Sequence, residues 1–295
     1  MLYGVLGVLG LLTLIFSVAF IRDVLAHKNE FEKETNIFIS GAIGFGINFF
    51  DTLGIGSFAP ATALLRGFKQ IKDRVIPGTL NVSCTWPVVA EAVLFMSVVK
   101  VEPITLISML VAAAVGAWVG AALVSKLDTK KVQIAMGFAL IATDAFLVAG
   151  IMGWMPIGGD AIGLTGVKLI VAVAINFVLG GLMSFGIGLY APCMALVSLM
   201  GMNPSIAFPI MMGSCAYLMP VGSVKFIKEG TYAKKASIAI AICGLIGVFI
   251  AFYIVKSLPL NILKWLVICV VIYTAATLLI AGFKKDQPEA AAGNE

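Results

Sequence analysis

The sequence predicts an all-α, polytopic membrane protein built as an inverted repeat. Each repeat is a glycine- and proline-broken helical hairpin followed by three transmembrane helices, and one extra helix precedes them. Three observations lead there. The chain is 61% hydrophobic and only 12% charged, with mean hydropathy +1.07, against roughly 45–50% apolar and about 25% charged residues in a soluble domain. Its charges collect between apolar runs of about 20 residues, the length that crosses a bilayer as a helix. Finally, residues 54–64 read Gly-Ile-Gly-Ser-Phe-Ala-Pro-Ala-Thr-Ala-Leu and residues 186–196 read Gly-Ile-Gly-Leu-Tyr-Ala-Pro-Cys-Met-Ala-Leu, seven of eleven positions agreeing at an offset of 132.

Taken in order, Leu2–Ile21 is the first apolar span. It lacks a basic leading region and a small-residue cleavage site, so it reads as a retained helix rather than a signal peptide. Residues 1–36 then form an N-terminal helix and its loop. Residues 37–152 form repeat 1, with a broken stretch over 37–72 and spans near 76–99, 103–125 and 132–152. A linker over 153–167 leads to repeat 2 over 168–283, with its broken stretch at 168–203 and spans near 204–224, 235–255 and 262–282. The offset of 132 carries each span of repeat 1 onto one of repeat 2 without a gap, and Pro77 onto Pro209, so the whole unit is duplicated. The tail, 284–295, is polar and Ala/Gly-rich and reads as disordered.

The charges set the orientation. Lysine and arginine gather in cytoplasmic loops. The loops 22–36, 66–74, 126–131 and 225–235 together with the tail hold sixteen of the twenty Lys and Arg residues. Placing all of these on one side requires each broken stretch to enter and leave on the same face, the first from the cytoplasm and the second from outside. Three further crossings per repeat then invert the second repeat, and the C-terminus lies in the cytoplasm. Two full crossings per broken stretch have the same parity, so the inversion follows with either depth.

A break in a membrane helix exposes backbone groups that need a protein or cavity environment. Gly54, Gly56, Gly186 and Gly188 permit the turn. Pro60 and Pro192 suit the first turn of the helix that follows, where no amide bond is lost, and that helix is expected to begin at the proline. Its unpaired N–H groups and positive dipole end then face the turn. Two such ends meeting near the midplane form an anion site without a buried base. The alternative is that the glycines allow close packing and the prolines only kink.

Candidate substrate-binding side chains around the breaks are Asn48, Thr52, Ser57, Asn176, Ser184 and Tyr190, joined from the following helices by Asn81, Ser83, Ser214 and Tyr217. The competing role for each is hydrogen bonding between helices. Three acids lie within spans, where a charge is costly and marks function. Asp51 stands three residues before the first break. Two roles fit it: protonation coupled to substrate binding, or fixing the turn through nearby backbone groups. Glu91 serves the same proton path. Asp144 belongs to a more peripheral helix and suits a polar contact or a homodimer interface. His27 reads as solvated beside Lys28. The five cysteines (Cys84, Cys193, Cys215, Cys243, Cys269) show no pairing or metal spacing, so no metal and no cofactor is expected.

The two Gly-x-Gly-x-x-x-Pro breaks at 54–60 and 186–192, in two hydrophobic halves of a chain near 300 residues, resemble the TauE/SafE family of sulfite exporters and sulfonate permeases, also called TSUP. The resemblance covers residues 37–282. It implies movement of sulfur-containing oxyanions or organosulfonates across the bacterial inner membrane with ion coupling. The family motif often carries a further glycine where this chain has Ser57 and Leu189. The expected partners are a small anionic substrate and the lipid bilayer, with no nucleic acid. An anion channel on the same scaffold is the alternative. Without a Walker A pattern or a nucleophile–base pair at membrane depth, an enzyme is not expected.

Overall fold

The computed structural model describes residues 2–123, 129–152, 159–183 and 189–283. All of the secondary structure of these residues is helical apart from one isolated bridge between Ala161 and Met202. Eleven α-helices run in order among them: α1 (Leu2–Ala26), α2 (Ile37–Thr52), α3 (Phe58–Gly67), α4 (Ile76–Val98), α5 (Pro103–Leu123), α6 (Thr129–Ile151), α7 (Gly166–Met183), α8 (Tyr190–Leu199), α9 (Ala207–Lys228), α10 (Lys234–Ser257) and α11 (Leu260–Phe283). Among the described residues six helices are long and apolar enough to cross a membrane. The chain is an all-α polytopic membrane protein.

The offset of 132 is visible helix by helix. Adding it to α3 gives residues 190–199, the span of α8, and α2, α4, α5 and α6 fall on α7, α9, α10 and α11 to within three residues. Packing obeys the same exchange. The α2–α10 contact has its counterpart in α7–α5, and α4–α10 in α9–α5, while α4–α9 and α6–α11 map onto themselves. Equivalent helices run antiparallel. Gly78 faces the Thr231 carbonyl, Thr85 Oγ1 lies 3.0 Å from Ser223 Oγ, and Gly213 faces Met96, so the numbers on α4 rise as those on and beyond α9 fall. On the other self-paired contact, Gly137 meets Leu279 and Gly282 meets Ile134. Equivalent helices of opposite direction make the repeat an inverted one.

Both broken stretches fold back as hairpins. In the first, the Thr35 hydroxyl donates to the Gln70 carbonyl at 2.9 Å and the Asn36 amide donates to Gln70 Oε1 at 2.8 Å. The chain therefore leaves α3 beside the point where it entered α2. Ten residues of α3 span about 15 Å, half a bilayer core. In the second, the Asn203 amide donates to the Ala161 carbonyl at 3.0 Å, closing the base of α7 and α8 in the same way. The first base lies on the face where Gly78 meets Thr231 and where Glu32 Oε1 accepts the Lys234 amide at 2.8 Å. The second lies at the far end of α4, where the Glu102 amide donates to the Ile162 carbonyl at 2.8 Å. One crossing of α4 separates them, so the hairpins enter from opposite faces.

The start of α5 is capped by Glu102. Glu102 Oε2 accepts the Thr105 amide at 2.7 Å and Oε1 the Ile104 amide at 3.0 Å, closing the first turn of α5. These donors, the Thr105 amide foremost, hold the Glu102 carboxyl below its ordinary range. The helix α1 lies against α9 and α4. Tyr217 Oη donates to the Val5 carbonyl at 2.5 Å, Trp86 Nε1 donates to Ser17 Oγ at 2.8 Å, and Phe16 and Phe20 pack edge-on to the Trp86 ring.

One boundary differs from expectation. The helices after the breaks begin at Phe58 and Tyr190, two residues before Pro60 and Pro192. Proline is accepted throughout the first helical turn because none of the first four amides has an intrahelical acceptor, so it does not have to be the first residue.

Candidate functional site

The turn of the first hairpin is built from two glycines in the left-handed region, Gly54 at φ +94° and Gly56 at φ +87°, a conformation that side chains with a Cβ rarely adopt. At Gly54 the Met194 side chain of α8 fills the space a Cβ would need, while at Gly56 that space is open. The turn delivers Ser57 to the start of α3, where the Ser57 side chain makes no capping bond. At the start of α8 the same holds for Leu189. Two half-helix N-termini without a capping bond from their own N-cap residues, each with the positive end of its helix dipole, thus come from opposite faces to one place.

That place is a cavity of about 210 Å³. Ile55, Gly56, Ser57, Phe58 and Pro60 line it from the first hairpin, and Leu189, Tyr190 and Ala191 from the second. Asp51 forms its acidic edge. Cys215 and Met219 of α9, Gln133 of α6, and Tyr273, Thr274, Thr277, Leu278 and Ala281 of α11 complete much of the wall. Among the described residues no lysine or arginine lines it.

Behind the cavity wall lies a buried pair of carboxyls. Asp51 is 2% exposed and Glu91 of α4 is 0% exposed. Tyr190 Oη stands 3.5 Å from Asp51 Oδ2 and 3.4 Å from Glu91 Oε2, so one phenol from repeat 2 touches both acids of repeat 1. The Thr52 hydroxyl lies 2.8 Å from Glu91 Oε1 and 2.8 Å from the Asn48 carbonyl. It has one hydrogen for those two oxygens, as Tyr190 has one for its two. Ser57 adjoins the Asp51 carboxyl through its hydroxyl and its backbone amide. Asp51 therefore sits where an anion would at the N-terminus of α3.

The structure brings together Asp51, Thr52, Gly54, Gly56, Ser57, Pro60, Glu91 and Tyr190 from the residues singled out in the sequence. Pro192 is buried one turn into α8. Others point elsewhere. Asn48 donates to the Gly44 carbonyl at 2.8 Å and packs against Gly244, its Oδ1 unpaired. Asn176 bridges to the Met109 carbonyl of α5 at 2.8 Å. Asn81 donates to the Pro77 carbonyl at 2.9 Å, Ser214 to the Ile210 carbonyl at 2.7 Å, and Ser83 reaches only the Leu80 carbonyl at 3.5 Å and Cys84. Tyr217 is committed to α1. Of these six, Asn176 and Tyr217 bond to another helix, while Asn48, Asn81, Ser83 and Ser214 bond to carbonyls of their own helix. Ser184, Gly186 and Gly188 lie outside the described residues. The residues that sequence reasoning passed over are those of α6 and α11. Thr274, Thr277, Leu278 and Ala281 recur at helical spacing and so share one face, a stripe without a charge, a break or a duplicated string to mark it.

The pseudo-symmetry fails at one contact. Helix α8 packs against both α6 and α11, and α3 makes no comparable contact with either among the described residues. The gap opens the cavity past Gln133, which is partly exposed, and Ala281, which is exposed. Those residues lie at the start of α6 and the end of α11, the face that carries the base of the first hairpin.

A multi-pass helical protein with discontinuous helices meeting at an internal cavity has the build of a membrane transporter. The family model for Sulfite exporter TauE/SafE matches residues 1–147, the first half of the chain, which comprises α1 and most of repeat 1. The chain belongs to the TauE/SafE family. No curated protein and no solved structure matches it.

Proposed function

We propose that the protein is a secondary transporter for a small sulfur-containing anion, sulfite or an organosulfonate, bound between the two hairpin tips. The observation that carries this reading is the meeting of two half-helix N-termini with Asp51 and Tyr190 on one cavity. The anionic head takes hydrogen bonds from backbone N–H groups at the starts of α3 and α8, from Ser57, and from Tyr190.

The head must displace a negative charge from the N-terminus of α3, because Asp51 occupies that position. A proton on Asp51 removes the conflict. Asp51, Glu91, Thr52 and Tyr190 then share protons among more oxygens than they have hydroxyl hydrogens, and substrate arrival and proton uptake occur together. This makes transport proton-coupled. When the anion is absent, the Tyr190 hydroxyl turns to the acids; when it is present, the hydroxyl turns to the substrate.

Access alternates by exchange of the asymmetric contact. In this conformation α8 is closed on α6 and α11 while α3 stands away. The inverted repeat supplies the opposite conformation, in which α3 closes on α6 and α11 and α8 releases. The positive-loop count supports an open face in the cytoplasm, with the C-terminus there, and the family likeness supports the bacterial inner membrane. The domain division is the N-terminal helix and loop at 1–36, repeat 1 at 37–152, an extracytoplasmic linker at 153–167, repeat 2 at 168–283 and a cytoplasmic tail at 284–295. The Asp144 carboxyl is 5% exposed within the single chain, with Oδ1 unpaired among the described residues, which favours an internal polar contact over a homodimer contact.

The test is flux into proteoliposomes, with sulfite, sulfate, thiosulfate and several sulfonates offered singly. A carrier saturates, shows counterflow, and responds to an imposed pH gradient. Unsaturable flux that follows voltage would instead make the protein an anion channel, and the absence of flux and binding with every anion would overturn the reading.

A further inference from the structure

The cavity is larger than the head it is built to hold, and the surplus has a chemistry of its own. At about 210 Å³ it has room for about seven waters, each taking about 30 Å³ of liquid. Sulfite has four non-hydrogen atoms. The helix N-termini, which suit an anion, lie at the hairpin tips. The rest of the wall comes from α6, α9 and α11, where Gln133, Tyr273, Thr274 and Thr277 stand among Leu278, Ala281 and Met219. The Thr277 hydroxyl spends its hydrogen on the Thr274 carbonyl at 2.8 Å, which leaves its oxygen as an acceptor toward the cavity. Gln133 both donates and accepts. This wall is apolar with a few hydrogen-bonding groups and, among the described residues, no base.

We infer that Gln133, Thr274 and Thr277 form a second subsite that binds the body of an organic anion and reads an uncharged hydrogen-bonding group on it, such as a hydroxyl. The substrate class is then a short organic sulfonate with one charge, in preference to an inorganic oxyanion. A second anionic group on the body would be buried against Asp51 and an apolar wall with no cation to meet it, which is strongly unfavourable. A bare alkyl body would fill the space and cover the half-buried Thr277 oxygen and Gln133 amide without bonding them, and a polar group desolvated without a partner is penalised more than a met one is rewarded. The subsite rests on the proposed head site, because it supplies the far end of the same ligand.

The experiment measures binding of four probes to the purified, detergent-solubilised full chain: methanesulfonate, ethanesulfonate, 2-hydroxyethanesulfonate and the dianion sulfoacetate. The expected order puts 2-hydroxyethanesulfonate about tenfold ahead of ethanesulfonate, the factor that about 1.4 kcal/mol of discrimination gives, with sulfoacetate weaker than either. The variant Thr277→Val with Gln133→Leu should erase that tenfold preference and leave methanesulfonate affinity unchanged. Retention of methanesulfonate binding also reports that the variant is folded; if it is lost, the single Thr274→Val change, which removes one hydroxyl at nearly constant volume, is read in the same way. Equal affinity for the hydroxy and alkyl sulfonates, a preference that survives the variants, or tighter binding of sulfoacetate overturns the subsite while the head site stands. Failure of all four sulfonates and of sulfite to bind overturns the head site and the subsite together.

Discussion

Tyr190 Oη stands 3.4 Å from Glu91 Oε2, although 99 residues separate the two and they belong to different repeats. Through this contact the half-helix α8 of one repeat touches the carboxyl pair of the other. At that distance the bond itself is weak, so its value lies in position. Tyr190→Phe should leave thermal stability within about 1 kcal/mol and slow substrate movement by about tenfold or more, with the pH dependence of transport altered. Stability in detergent and flux in proteoliposomes check the two halves separately. An unchanged pH profile would remove Tyr190 from the coupling unit.

Asp51 carries a sharper expectation. Asp51→Asn keeps the shape and hydrogen bonding of the turn and removes the titratable group. It should abolish movement driven by a pH gradient while allowing exchange of labelled for unlabelled substrate. If gradient-driven movement persists, Asp51 is not the coupling group and its role is to fix the turn beside Ser57.

Gly54 and Gly56 share a backbone conformation and differ in surroundings. A Cβ at Gly56 meets nothing, so Gly56→Ala meets only the left-handed backbone penalty of about 1–2 kcal/mol, and should yield folded protein with weakened anion binding. At Gly54 the Met194 side chain must also move, so Gly54→Ala should lower the yield of extractable protein as well. Normal anion affinity in folded Gly56→Ala would sink the proposal that this tip holds the substrate.

The hairpin base is a separate structural test. Gln70 is 3% exposed, accepts from Asn36 and Ser40, and donates to the Phe68 carbonyl at 2.9 Å. Gln70→Ala leaves these groups without partners and should cost about 1–3 kcal/mol, seen as a lower melting temperature. The first hairpin would become more open to protease or thiol labelling than the second.

Glu102 sets a pH dependence outside the membrane. Its carboxyl is held below the ordinary value of 4.5 by the amides of the first turn of α5. A depressed folded-state value means that the ionised cap stabilises the fold above pH 4.5, and that this contribution is lost as the pH falls below it. Glu102→Gln should flatten that part of the stability curve, measured by thermal melts between pH 3 and 6. Because the group is solvent-facing, the effect is small and salt-sensitive.

Much of the fold was legible because a membrane leaves few solutions. Apolar runs set the spans, loop charge set their alternation, and the string shared by residues 54–64 and 186–196 marked both breaks. The same features gave Asp51 and Glu91, since an acid within an apolar span stands out. Hydroxyls and amides within spans gave no such signal. Asn176 and Ser214 look as suitable as Ser57 and Thr52 in sequence, but a hydroxyl or amide on a helix reaches a backbone carbonyl as readily as a ligand. Thr274 and Thr277 were overlooked for the same reason.

By itself the sequence determined the membrane class, the number and inversion of the repeats, and the two places where the helices break. These follow from desolvation: backbone and charge cannot be left unpaired in lipid, so composition along the chain dictates topology. The tertiary structure alone decided which side chains share the cavity. It brought Tyr190 to Glu91 and Asp51, brought the Thr274 stripe opposite the tips, and closed α8 but not α3 on α6 and α11. Those relations depend on packing between helices remote in sequence, and nearly symmetric repeats can pack in more than one way. Periodicity and charge do not distinguish those arrangements; the contacts that form between the helices do.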